Sequence, residues 1–347
     1  MGAESPTVSV VMPAHNAEAF LAEAIESVLC QTFADLELIV VDDESTDSTA
    51  SIVHAFADER ICYLRTARRS GPGAARNVAL HVARGAYVAF LDADDLAYPT
   101  RLATQLAFVQ ARPEIALVGA GYDDVDPSGS TIATFATPSG TASVRLKMLF
   151  DNVIATSLAF ARRDALREVG PFDESLPVCE DYELWGRIAC RYPIARLPAV
   201  LGAHREHPGS TYAAEGDAGA AAVRVRVVQN VLDLALGIQV SPGTALVLGS
   251  ASSSSEYGLE DCREALAVLE LLPRGLLESW ADGAADRRAL ARVWIDKHAT
   301  VVSREPQLKG RALRTVVREL ARRPARGAWD SAVLISLLRL ALVRREP

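Results

Sequence analysis

The chain has 347 residues, half of them hydrophobic, with 36 basic against 44 acidic side chains and a formal net charge of -8. This length exceeds one small core and suits two domains, or one α/β domain with an appendage, and the acidic balance argues against a protein that coats nucleic acid. Five scattered cysteines, Cys30, Cys62, Cys179, Cys190 and Cys262, form no C-x-x-C pair, which speaks against a structural zinc site and fits a reduced, cytoplasmic compartment.

The N-terminal stretch "MGAESPTVSVVMPAHN" lacks the basic and apolar regions of a secretory signal. "TVSVVMPA" and "LELIVVDD" are β-branched apolar runs that read as interior parallel strands. Between them, Phe20, Leu21, Ala24, Ile25, Val28 and Leu29 recur at helical spacing, which makes a strand-helix-strand unit. The pattern then repeats. "ESTDSTASIVHAF" reads as a helix with Ser45, Thr46 and Asp47 as N-caps, "ICYLRT" as a strand, "GPGAARNVALHVARG" as a helix closed by Gly85, and "AYVAFLDADD" as the next strand.

From Pro99 the helix "TRLATQLAFVQAR" stops before Pro113, and "EIALVGAGY" reads as a strand. Residues 123–141 are richer in glycine, proline and serine and read as a surface excursion. "SVRLKMLFDNV" reads as a helix, "SLAFARR" as a strand, "EDYELWGRIACRY" as a helix, and "IARLPAVLGAHREHPGSTYA" as extended and loop-like. Beyond about Ala214 the periodicity is helical throughout, with the serine run 252–255 as a loop.

In open α/β sheets ligands bind beyond the carboxyl ends of the strands. Here those ends carry Pro13 to Asn16, Asp42 and Asp43, and Asp92 to Asp95. A crevice lined with acids repels a phosphate unless a cation intervenes. Mg2+ and Mn2+ prefer hard oxygens and take one or two protein carboxylates together with substrate phosphates. For Asp42, Asp43 and Asp95 the plainer alternative is helix capping or pairing with arginine.

The motifs "PAHN", "VVDDESTDST", "GPGAARN", "FLDADD" and "EDYELW" follow one another in this order, and together they resemble glycosyltransferase family 2 over residues 6 to about 212. The resemblance implies a GT-A fold, a Rossmann-like mixed sheet flanked by helices in residues 6–212, followed by an all-helical region over 213–347. It implies an inverting transferase that moves a sugar from a nucleoside diphosphate sugar, with UDP favoured, to a hydroxyl of a glycan, a lipid-linked glycan or a protein. The setting implied is cell envelope polysaccharide or glycoconjugate synthesis, with Mn2+ or Mg2+ as cofactor.

Carried residue by residue, the resemblance sets Pro13, Ala14 and His15 along the nucleoside, His15 standing where a tyrosine is frequent. Asp43 accepts a hydrogen bond from the nucleobase, Arg76 faces the nucleotide, and Asp92 and Asp94 are the acids of an Asp-x-Asp around Ala93. Asp94 binds the metal, Asp92 the ribose or sugar, and Asp95 the metal's water shell. Asp181 matches the general base, with Glu180 as runner-up and otherwise a first-turn helix acid. Trp185, four residues on, shares the helix face of Asp181 and offers an indole to the acceptor sugar; its plainer reading is core packing. His207 matches a histidine that completes the metal sphere, and His204 receives no role.

No Walker loop or G-x-G-x-x-G follows the first strand, which disfavours P-loop hydrolysis and a dinucleotide-dependent dehydrogenase. A sugar nucleotidyltransferase would carry a glycine-rich, arginine-containing loop where "PAHNAEAF" stands. A non-catalytic nucleotide-sugar or carbohydrate-binding module is a rival of another class, and it would have no use for Asp181. From Arg304 to Pro347 eleven Lys or Arg stand against four Asp or Glu, and two readings remain for that stretch: a peripheral contact with the inner face of a membrane, or packing against the catalytic domain or a second subunit in a homo-oligomer. "SAVLISLLRLALV" is too short to span a bilayer as one helix.

Overall fold

The computed structural model describes residues 5–136, 141–209, 211–249, 257–272, 280 and 284–322. It divides into two units, one of residues 1–138 with 154–220 and one of residues 139–153 with 221–347. The expected division, 6–212 against 213–347, assigned the segment 139–153 to the first.

The first unit opens as a repeated strand-helix pattern: β1 (Val8–Ala14), α1 (Leu21–Leu29), β2 (Leu36–Asp42), α2 (Thr49–Ala55), β3 (Ile61–Arg65), α3 (Pro72–Val82) and β4 (Tyr87–Phe90). These strands lie parallel in the order β3-β2-β1-β4. β1 and β2 are buried along almost their whole length, which is why they read as unbroken apolar runs rather than alternating ones. α1 buries Leu21, Ala24, Ile25 and Val28, the stripe its spacing predicts. α3 has its proline at the first turn and ends at Ala83 with ordinary extended geometry. Gly85 therefore does not close the helix as expected. It is glycine for proximity, because a Cβ there would stand 2.5 Å from the Ser9 nitrogen.

The sheet continues through β5 (Leu96–Ala97), α4 (Arg101–Gln110), β6 (Leu117–Val125), β7 (Thr131–Phe135), a 3₁₀ turn (Thr156–Leu158), β8 (Phe160–Arg162), α6 (Arg163–Val169), α7 (Glu180–Arg191) and β9 (Ile194–Arg205), while α5 (Thr141–Met148) belongs to the second unit. Past β4 the order runs β8-β6-β9-β5, with β7 beside β6. β8 is antiparallel to both β4 and β6, whereas β9 is parallel to β6, so the sheet is mixed. Two segments depart from expectation. The excursion at 123–141 contains the end of β6 and the strand β7, turned by Asp126, whose carboxylate accepts from the Ser128 and Ser130 N–H groups. The loop-like stretch after Tyr192 is a twelve-residue strand, β9, with register shifts against β6.

In the second unit every described element is helical: α5, α8 (Thr211–Leu236, with the division between units falling after Ala220), α9 (Pro242–Leu248), α10 (Leu259–Leu271), α11 (Ala284–Arg304) and α12 (Lys309–Arg322). α5 packs on α11, and Leu146, Met148, Leu149 and Phe150 are buried, which explains why this short segment joins the helices. α12 buries Ala312, Thr315 and Val316 on its inner side and exposes Arg314, Val317 and Arg318. No helix among the described residues is long and apolar enough to cross a membrane. The serine run 252–255 and residues 323–347, with Ser331 to Val343 among them, lie outside the described residues.

Candidate active site

Because β2, β1 and β4 are neighbours, their carboxyl ends bring three polar segments together. At the end of β1, Ala14 is buried and its carbonyl accepts the Asp43 N–H at 2.7 Å, while Pro13 is half-buried. His15 follows, with Nδ1 2.7 Å from the Asp43 carbonyl oxygen, a bond that fixes the ring's orientation. Asn16 has φ 48°, a left-handed conformation that asparagine tolerates, and its side chain and N–H bond Thr46 and Ser45.

Asp42 is fully buried. It accepts from the Ser45 N–H and the Tyr63 hydroxyl, both at 2.7 Å. Burial opposes ionisation, yet these bonds and Arg65 outweigh it and hold the carboxyl below its usual range. Asp42 thus shapes the turn after β2 and faces Arg65 at 4.0 Å, the arginine pairing of its alternative reading; it caps no helix, since α2 begins at Thr49 behind Ser48. The Asp43 carboxylate accepts from Ser70 N–H, Gly71 N–H and the Thr66 hydroxyl at 2.8–3.0 Å, tying the end of β2 to the entry of α3.

From α3, Arg76 reaches inward and is only 4% exposed. One end of its guanidinium meets Asp92 at 2.5 Å and the other meets Glu180. Burial pulls its pKa down, but the charges of Asp92 and Glu180 outweigh that and raise it further. Glu180 is buried too, and burial raises its carboxyl above the ordinary range against the pull of Arg76. Arg76 therefore joins the loop after β4 to the start of α7 rather than presenting a bare cation to solvent.

Within "DADD" the side chains diverge. Asp94 Oδ2 stands 2.9 Å from His207 Nε2, both groups partly exposed. Ala93 is buried. Asp95 is 2% exposed, so it is no member of an exposed water shell: it accepts from the Ser157 hydroxyl and from Arg205 N–H at 2.8 Å. Burial, with Asp94 adding, pushes its carboxyl up to about 7.

α7 begins after Cys179, which has φ 61°, and places Glu180, Asp181 and Glu183 in its first turn, where the helix dipole favours carboxylates. Asp181 Oδ2 accepts from the Thr156 hydroxyl at 2.6 Å. The next residue, Ser157, accepts the Asp92 N–H at 3.0 Å while donating to Asp95. One short turn therefore grips both the general-base candidate and the Asp92–Asp95 loop. Sequence reading passed over Thr156 and Ser157, since two hydroxyls before an apolar strand carry no periodic signal. Arg205 was passed over as well; its guanidinium bonds Glu23 and the Asp94 carbonyl and lies 4.6 Å from the Phe20 ring centroid.

Trp185 is the clear correction. It is 0% exposed and packs edge-on against Phe90 and Phe172, so it has no face for an acceptor sugar. It lies on the core side of α7.

The donor set fits a hard divalent ion. Adjacent ligands of an octahedral sphere with bonds of about 2.0–2.1 Å stand roughly 3 Å apart, and the 2.9 Å between Asp94 and His207 suits two neighbouring positions. Among the described residues no group of three or more His, Cys, Asp or Glu side chains converges as a metal cage.

The model of the family "Glycosyl transferase family 2" matches residues 9–170. The chain is 34% identical over 178 residues to the Escherichia coli UDP-Glc:alpha-D-GlcNAc-diphosphoundecaprenol beta-1,3-glucosyltransferase WfgD, covering 51% of this chain and 68% of that one. The chain belongs to glycosyltransferase family 2. It spans 65% of the length of one other curated relative and 58% of two more. Among solved structures, S. aureus TarS 1–349 in complex with UDP-GlcNAc superposes with a TM-score of 0.57 at 19% identity, over 96% of this chain and 90% of that one. The mannosyltransferase PcManGT from Pyrobaculum calidifontis, in complex with GDP-Man and Mn2+, gives 0.51 at 19% identity, over 98% and 87%. These likenesses identify the family 2 chain's fold as GT-A, the mixed sheet flanked by helices that its motifs imply.

Proposed function

We propose that this family 2 chain transfers a sugar from a nucleoside diphosphate sugar, UDP-linked by preference, to a hydroxyl of a glycan or lipid-linked acceptor with inversion at the anomeric carbon. The observation that carries the reading is the double link between the Asp92–Asp95 loop and the start of α7: Arg76 spans Asp92 and Glu180, and Thr156 and Ser157 bond Asp181 and the loop. These links support a reading in which donor-side acids and base act side by side. The curated relative WfgD is named for a UDP-linked donor and a diphosphoundecaprenol acceptor, which supports the donor class and a lipid-linked acceptor.

In this reading Pro13, Ala14, His15 and Asp43 line the nucleoside, and Asp92 with Ala93 the ribose or sugar. Asp94 and His207 hold Mn2+ or Mg2+, which when bound offsets charge on the departing diphosphate. Asp181 removes the proton from the acceptor hydroxyl as its oxygen bonds the anomeric carbon and the bond to the diphosphate oxygen breaks; the proton ends on Asp181 and the nucleoside diphosphate leaves. Thr156 orients that carboxylate. Glu180, turned onto Arg76, takes the role of counter-ion.

Turnover of UDP-glucose, UDP-GlcNAc and GDP-mannose with Mn2+ tests this. Asp181→Asn should cost about 10²–10⁴ in kcat while UDP binding persists, and Asp94→Ala should lose Mn2+ affinity. Unchanged turnover in Asp181→Asn, or no donor consumed by the native chain, refutes it and favours a binding module.

A further inference from the structure

With Trp185 buried, the acceptor needs another platform, and one lies on the far side of β4 and β8 from the nucleotide strands. β6 and β7 pair Tyr122 with Phe135, whose rings stack at 5.1 Å between centroids and 23° between planes. On the other flank of β6, β9 sets His204 opposite Asp124, with His204 Nδ1 3.0 Å from the Asp124 carboxylate and its ring edge-on to Tyr122 at 6.3 Å. Alternation along β6 puts Tyr122 and Asp124 on one face of the sheet. Arg196 braces the pair, donating to the Phe135 carbonyl at 2.8 Å with its guanidinium 6.0 Å from the Tyr122 centroid.

Two of these rings are open to solvent: Phe135 is 42% exposed and the His204 side chain 47%. An exposed aromatic face beside an imidazole, which the largely buried Asp124 carboxylate holds in place, suits a pyranose, whose C–H face is apolar and whose rim carries hydroxyls. The platform also adjoins the chemistry. From His204, the chain ends β9 at Arg205, whose N–H bonds Asp95 and whose Nε bonds the Asp94 carbonyl, and continues to His207 beside Asp94. Three residues span at most on the order of 10 Å, within reach of one saccharide lying between His204 and His207.

We propose that Tyr122, Phe135 and His204, with Asp124, form the subsite that receives a pyranose ring of the acceptor. The nucleobase is the other flat ligand of a transferase, but its strands, β1 and β2, lie at the opposite end of the sheet order. The proposal rests on the transferase reading above.

The test uses the full chain with Mg2+ and UDP, titrated with methyl glycosides of glucose, galactose, mannose and N-acetylglucosamine and read by saturation-transfer NMR. At least one glycoside should receive saturation from aromatic protons of the native chain. Phe135→Ala and His204→Ala should each weaken it, by about tenfold when combined, with UDP affinity retained. Both side chains project into solvent, so these variants should fold, and a melting curve checks it. Native chain that binds UDP but no glycoside, or glycoside binding indifferent to both substitutions, overturns the subsite. A native chain that neither binds UDP nor consumes any nucleotide sugar instead defeats the transferase reading itself.

Discussion

Replacing Arg76 by methionine keeps most of the side-chain volume and removes the charge that joins two carboxylates. Asp92, one third exposed, can turn to water; Glu180, with its side chain 8% exposed, cannot. Removing one partner of a buried pair costs about 3–5 kcal/mol, and most of that falls on the stranded Glu180 carboxylate. The loss should depend on pH with a definite sign. Burial already raises the folded-state pKa of Glu180, and without Arg76 it rises further. Folded variant then binds a proton that the unfolded chain, with a glutamate pKa of about 4.3, releases. Stability of Arg76→Met should therefore fall as pH rises above that value, and the gap to wild type should be smaller near pH 5 than near pH 8 by about 1–2 kcal/mol. Native-state hydrogen exchange of amides in β1, β2 and β4 in low urea measures this within the relevant unit. A loss below about 1 kcal/mol, or one that grows on acidification, would refute the reasoning.

Ser157→Ala removes the donor to buried Asp95 and the acceptor of the Asp92 N–H; the expected cost is about 1–3 kcal/mol, seen in the melting temperature, with turnover reduced as well. Gly85→Ala drives a methyl onto the Ser9 backbone and should cost about 1–3 kcal/mol by overpacking, whereas an unchanged melting temperature would mean the turn is slack. In the helical unit, burial pulls Lys297 down to about 8 from its ordinary 10.5, although its Nζ donates to the Leu248 carbonyl at 2.8 Å. Its unfolded form keeps the proton longer, so wild-type stability should rise with pH between those two values. Lys297→Met should lack that rise, which denaturation near neutrality and at about pH 10 would reveal.

The first half of the fold was legible because parallel strands buried on both faces leave continuous apolar runs, and α1 and α7 carry helical periodicity. β9 was not, since Pro198, Gly202 and interspersed charges break its alternation and its register shifts as it pairs β6 on one edge and β5 on the other. At the site, motif order pointed to Asp92, Asp94, Asp181 and His207, and the structure brings Asp94 and His207 together. Arg76, Asp92 and Glu180 were each noticed but not their pairing, because the two acids stand 16 and 104 positions from Arg76. For Trp185, spacing of four tells which residues share a helix face, but not whether that face meets solvent or Phe90 and Phe172.

Thr156 and Ser157 are consecutive, yet one bonds Asp181 and the other the Asp92–Asp95 loop. Inserting a single residue between them would leave each hydroxyl able to bond its own carboxylate but free the two to drift apart. On the proposed reading, the spacing between base and donor acids is thus set by one peptide bond.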